Sequence, residues 1–269
     1  MDKALKNNPI KILWQKIWLP DFNRETEAWV DDSFQDQIPN IRRVSSLNSE
    51  INVPDPKAVR SMSRASLFLS AYADELKVVL SPYLEKSPFS VGIYCAVENG
   101  PIDASSTVEI LNRSSEVFDI TFAEAYRKLR NPKMYLKQLP NLAPAQLGIS
   151  LGIQGPMNVY TNSMYASQQA IEQAEADVIN KKVDAALILT AHAFDDFWVV
   201  KRTRTQDDRT ICEGAAFQII TLSNEFSELS SDNSKNKLLK KGANREYYFD
   251  AQNYFGISDP LINLIRKGN

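Results

Sequence analysis

Hydrophobic and polar positions repeat with two different periods along the chain. Met62, Ala65, Leu69, Tyr72, Leu76, Val79 and Leu80 recur every three or four positions, which predicts a helix over 62–80 ended by Pro82. Ser105 to Asn112 and Phe122 to Leu129 read as two further helices, and Pro132 and Pro140 are expected to break the chain after them. Residues 165 to 181 form another helix, with Ala166, Ala170, Ala174 and Val178 at four-residue spacing on one face. Between the helices lie short apolar runs of strand type. Phe89 to Val97, Met157 to Thr161, Val183 to Ala191 and Glu213 to Leu222 are four of them. The near-continuous ones predict central strands covered on both faces. Strand–helix–strand alternation predicts an α/β layered sheet with parallel members and right-handed crossovers.

The ends of the chain carry weaker patterns. Residues 10 to 19, IKILWQKIWL, read as one strand at a sheet edge. Residues 20 to 57 hold Pro20, Pro39, Pro54 and Pro56 among polar residues and predict an irregular connection. Trp14, Trp18 and Trp29 are expected to anchor this layer. From 223 to 245 the composition predicts a mobile loop, and 246–269 a short strand or turn with a terminal helix through Leu261, Leu264 and Ile265. The whole is expected to be one domain.

Composition narrows the function classes. A chain of 269 residues with 43% hydrophobic content can bury a large core. A net charge of −2, without a basic arm or zinc-type cysteine spacing, argues against nucleic acid as the partner. No apolar run approaches the roughly 20 residues that cross a bilayer. The N-terminal stretch has no signal-type apolar core, so a cytoplasmic protein is expected. Cys95 and Cys212 lie in apolar contexts and read as buried thiols. No cofactor or metal is expected.

The candidate chemistry centres on GPMNVYTNSMYASQQAI, Gly155 to Ile171. A strand that turns sharply into a helix of small residues has the geometry of a nucleophile elbow, with the helix N-terminus behind it favouring negative charge. Asn162, Ser163, Met164 and Tyr165 stand at the bend. Ser163 invites a hydrolase reading, which would need a base and an oxyanion hole. The chain has one histidine, His192, at the end of a strand. It could be a lone base, but a hydrogen-bonded structural role is the expectation. Asp195 and Asp196 beside it could pair with it, though a solvated turn is expected. Glu213 is expected to be a buried hydrogen-bonding residue. The basic run Lys235 to Lys241 reads as a solvated face.

The elbow stretch resembles the nucleophile segment of the β-ketoacyl synthases, which have the thiolase fold. Counting forward from Gly155-Pro156 and back from Ala170-Ile171 places Met164 where that family has its catalytic cysteine. Further segments resemble the family in order: Arg60 to Leu76, Phe89 to Gly100, Leu139 to Pro156 and Asp207 to Leu222. The resemblance covers residues 58 to 222. It implies a thiolase-like fold with the N-terminal half largely complete and the C-terminal half truncated.

A thioether cannot form an acyl-thioester, so the resemblance arrives without its nucleophile. His192 matches neither of the family's two histidines. Met164 then reads either as a core filler or as a lining of an acyl tunnel. The resemblance is strongest to a chain-length factor, the non-catalytic partner of a ketosynthase, of the truncated type in aryl polyene biosynthesis. It implies a heterodimer with a catalytic ketosynthase, acting with an acyl carrier protein in type II polyketide or fatty acid biosynthesis. Met157, Asn158, Val159, Tyr160 and Thr161 would pair across the dimer axis. Ile110, Leu111, Ser114 and Phe118 would line the far wall of the acyl tunnel. The alternatives are a stand-alone acyltransferase or decarboxylase using Ser163 or His192, and a ketosynthase homologue that only scaffolds.

Overall fold

A computed structural model of the chain describes residues 9–31, 36–44, 57–102, 104–116, 121–130, 132–161, 165–203, 209–223, 250 and 252–268. The chain opens with β1 (Ile10–Trp18), β2 (Glu27–Asp31) and β3 (Asp36–Arg42). A short 3₁₀ turn at Ala58–Ser61 leads into helices α1 (Arg64–Ser70) and α2 (Ala73–Lys86), then strand β4 (Val91–Val97). Helices α3 (Ala104–Glu116), α4 (Phe122–Leu129), α5 (Pro132–Gln138) and α6 (Leu142–Leu151) follow. Then come β5 (Met157–Tyr160), α7 (Ala166–Ile179), β6 (Ala185–His192) and α8 (Phe197–Thr203). Strands β7 (Thr210–Cys212), β8 (Gly214–Leu222) and β9 (Asn253–Tyr254) precede a 3₁₀ turn at Gly256–Ser258 and the terminal helix α9 (Asp259–Gly268).

The main sheet has five strands in the order β1-β8-β6-β4-β5. Strands β5, β4 and β6 are parallel, and β8 runs antiparallel to both β6 and β1. Every residue of β4 and β6 is buried, as continuous apolar runs require when both faces are covered. Alternate residues go to opposite layers. Ile93, Cys95, Leu187 and Leu189 join Phe68, Leu69, Leu76, Leu80 and Leu147 from α1, α2 and α6. Tyr94, Ala96, Ala186 and Ile188 join Ala166, Ala170, Ala174 and Val178 of α7 and Leu261, Ile262 and Ile265 of α9. The predicted alanine stripe therefore lies flat on the sheet, where small side chains let the helix approach closely.

Trp14 and Trp18 on the edge strand β1 pack against Tyr72, with Phe217 and Phe68 beside them, as expected of anchors. Trp29 packs against Phe194 and Phe197 in a third, smaller core.

Four expectations are corrected. Residues 20–57 are not irregular throughout. Strands β2 and β3 form an antiparallel pair that belongs to a second sheet, β2-β3-β7-β9. Its pairing shifts register between Glu27 and Trp29, and Asn40 sits at φ 54°, so the apolar alternation that marks strands is broken. The helix expected over 62–80 is two helices that divide at Ala71–Tyr72. Pro82 does not end α2, which runs on to Lys86. A proline there leaves the carbonyl of Val78 without its usual helical donor. The Ser81 hydroxyl donates to that carbonyl at 3.0 Å instead. Pro132 likewise does not break a helix but starts α5, where its missing N–H costs nothing. The expected mobile loop and basic run fall largely at 224–249, outside the described residues.

Candidate functional site

The elbow region is built where β5 hands over to α7. Gly155 lets the chain enter β5 pressed against β4: a Cβ there would lie 2.0 Å from the Val91 carbonyl oxygen. From Pro156 the carbonyl accepts the Ile93 N–H at 2.8 Å, which sets the register Ile93 to Met157 through Ala96 to Tyr160. Strand β5 is the outermost strand of the sheet. Met157 is exposed, and Asn158, Val159, Tyr160 and Thr161 are half-buried. Asn162, Ser163 and Met164 lie outside the described residues. Beyond them, Ala166 and Ser167 of the first turn of α7 are fully buried. The expected strand and the small-residue helix after it are thus observed.

His192 closes the C-terminal end of β6 and is fully buried. Its Nδ1 lies 2.9 Å from the Cys212 carbonyl oxygen, which fixes the proton on that nitrogen. Burial lowers its pKa, and the Cys212 bond and the Glu213 charge offset this only in part. The ring also packs edge-on against Phe194 and faces Gly256. Asp195 and Asp196 follow at a half-buried bend, and their carboxylates accept from backbone N–H groups. The Asp195 carboxylate accepts the N–H groups of Arg64 at 2.5 Å and Ala65 at 3.4 Å, so it caps α1. Burial pushes its pKa up to about 6 against the pull of those two donors. The Asp196 carboxylate accepts from the N–H groups of Ile102 and Val199.

Glu213 is fully buried and fully engaged, as expected. Arg64 donates to it twice, Nε to Oε1 at 2.5 Å and Nη2 to Oε2 at 2.6 Å. The N–H groups of Phe194 and Val44 complete its shell at 2.7 and 2.8 Å. A carboxylate with four charge-assisted bonds is a structural clamp rather than a proton shuttle. Sequence reasoning identified the acid but not Arg64, which is 149 positions away and shares its segment with Arg60. It also missed a second buried carboxylate. Asp177 on α7 accepts from the Tyr94 hydroxyl, Gln173 and Lys182.

Both thiols are buried and unpaired with each other. Burial raises the pKa of Cys95 strongly and pushes Cys212 up to about 12. Of the four expected tunnel-wall residues, Ile110 is buried and Leu111 is exposed, so the two point to different sides of α3. Ser114 lies near the end of α3, and Phe118 falls outside the described residues. Among the described residues no group of His, Cys, Asp and Glu could hold a metal ion. No helix of the described residues is long and apolar enough to cross a membrane.

No family model matches the sequence, and no curated protein matches it. Solved structures do match in fold. A β-ketoacyl synthase from Burkholderia phymatum STM815 aligns with TM-score 0.55 at 12% identity, covering 84% of this chain and 62% of that one. A chain of AntDE:AntF, a type II PKS acyl-carrier protein in complex with its ketosynthase, aligns with TM-score 0.59 at 15% identity, covering 94% and 86%. A chain of the ketosynthase ApeO in complex with its chain length factor ApeC, from Xenorhabdus doucetiae, aligns with TM-score 0.55 at 14% identity, covering 83% and 60%. The chain therefore has the thiolase-like ketosynthase fold, and it spans about three-fifths of the length of two of these three proteins.

Proposed function

We propose that this chain is a non-catalytic subunit of chain-length-factor type, which pairs with a catalytic ketosynthase and shapes the acyl tunnel of the pair. One observation carries the reading: among the described residues, the histidine and both thiols are committed to structure. The only histidine in the sequence is sealed against Cys212 and Gly256, and both cysteines are held protonated by burial. A thiolate nucleophile needs the opposite environment, partly exposed and electropositive. The elbow position itself carries the thioether of Met164.

The fold neighbours support a partner of this kind, since they include ketosynthases described with a chain length factor and with an acyl carrier protein. On this reading the partner supplies the cysteine and histidines. Strand β5, Met157 to Tyr160, with Thr161 beyond it, pairs with the equivalent strand of the partner, which would satisfy an open sheet edge. Leu111, exposed on α3, reaches the partner's tunnel, while Ile110 holds the helix to its own domain. Bulk in that wall stops extension by steric exclusion. The product class is a type II polyketide, of aryl polyene kind, or a fatty acyl chain.

A turnover assay tests this. The isolated chain is incubated with malonyl and acyl thioesters of a carrier protein, and condensation and decarboxylation are followed by mass spectrometry. The expected result is no turnover from the chain alone and condensation when the catalytic subunit is added. Turnover by the chain alone that disappears in Ser163→Ala or His192→Ala would overturn the reading.

A further inference from the structure

The end of β3 carries two arginines with opposite fates. Arg42 is used internally: its Nη1 donates to the carbonyls of Phe22, at 3.1 Å, and Arg24, although its Nε, like that of Arg43, is buried with no acceptor among the described residues. Arg43 is held by aromatic rings. Its guanidinium lies 4.1 Å from the centre of the Trp29 ring and 6.0 Å from that of Phe194. Its Nε is buried with no acceptor among the described residues.

The backbone on either side of Arg43 is fixed. The Arg42 carbonyl accepts the Glu213 N–H at 3.0 Å, and the Val44 N–H donates to the Glu213 carboxylate at 2.8 Å. Among the described residues, the acids near this corner, Glu213, Asp195 and Asp196, are bound to other donors. Glu213 is saturated by Arg64 and two backbone N–H groups, Asp195 caps α1, and Asp196 holds Ile102 and Val199. A half-buried guanidinium stacked on tryptophan, held at its backbone on both sides and with its buried Nε short of an acceptor, is placed to receive an anion. Trp29 covers one face of the guanidinium, with Phe194 beside it on the same side, and the N–H edge is left for a ligand. That edge is a planar fork that fits two oxygens of one tetrahedral anion.

We propose that Arg43 anchors an oxyanion site that takes a phosphate group, either free phosphate or the phosphate of a larger ester. The site is independent of the partner-subunit reading, because it needs neither the elbow nor β5. The seat is formed by Trp29 and Phe194 and the backbone clamp by Glu213.

The test is phosphate titration of the full chain at constant ionic strength, alone or with whatever partner keeps it folded. Side-chain NMR of the ¹⁵N-labelled arginines follows the Arg43 Nε–H signal, assigned by its loss in Arg43→Gln. Saturable movement of that one signal with inorganic phosphate, absent with chloride, is expected. The midpoint should rise at least about tenfold in Trp29→Leu, which removes the stack but keeps the charge. A parallel titration with dimethyl phosphate separates the sources. Binding of both anions indicates a phosphodiester within a larger ligand, and binding of inorganic phosphate alone indicates a free or terminal phosphate. No saturable movement with either anion overturns the proposal, as does an equal response to chloride. If Arg43→Gln fails to fold, Arg43→Lys replaces it for assignment, since it keeps the charge but has no Nε–H.

Discussion

Glu213 ties together three segments that are distant in sequence: the end of β3, the start of α1 and the turn after β6. Removing one partner of a buried ion pair strands the other charge. Glu213→Ala should therefore cost about 3–5 kcal/mol, read as a shift of the urea midpoint. A loss below about 1 kcal/mol, the range of surface pairs, would show that the clamp is not needed. Asp195 gives a pH signature. Its folded pKa lies near 6, above its usual 3.8, so the folded state binds the extra proton. The stabilisation is fully present below pH 3.8 and is lost as pH rises through 6. The fall should be on the order of 1–2 kcal/mol after allowance for partial exposure. Denaturation of wild type and Asp195→Asn across that window checks it, and an unchanged pH slope in the variant would contradict it. At this scale the sequence was half legible. A glutamate in an apolar strand context announces burial, as with Glu213. Its partner is chosen by folding, and nothing near Arg64 sets it apart from Arg60 in its segment.

At the scale of elements, strands with strong patterns were readable and broken ones were not. β4 and β6 are continuous apolar runs, and their placement at the sheet centre follows from that. The β2–β3 pair was hidden by a register shift and a left-handed Asn40, which destroy the period of two. The helix α2 continues through Pro82 because a neighbouring serine repairs the missing bond, a local exchange that counting prolines does not reveal. The terminal element carries its own test. Gly256 sits at φ +53°, and a Cβ there would lie 2.5 Å from the His192 ring. Gly256→Ala combines left-handed strain of about 1–2 kcal/mol with that collision. It should lower the melting temperature by several degrees and release the segment 252–268 to limited proteolysis. Retention of wild-type stability and protease resistance would mean that α9 is not held through this contact.

For the whole molecule, the layered sheet and its resemblance to a ketosynthase could be read from four ordered segments and the elbow spacing. The candidate site could be read only in outline. His192 and Glu213 fell into the structural roles expected of them, whereas Ile110 and Leu111, the two tunnel-wall residues with described side chains, face different sides of α3. Their placement depended on how α3 rolls against α4 and the sheet, which helical periodicity leaves open when most of a helix is exposed. The central claim concerns assembly: an outermost strand, β5, that pairs with a catalytic ketosynthase. The most direct measurement is native mass spectrometry after co-expression of this chain with its ketosynthase. The account predicts a stable 1:1 complex that Met157→Glu weakens without lowering the melting temperature of the chain itself. A well-folded homodimer that ignores the ketosynthase would contradict it.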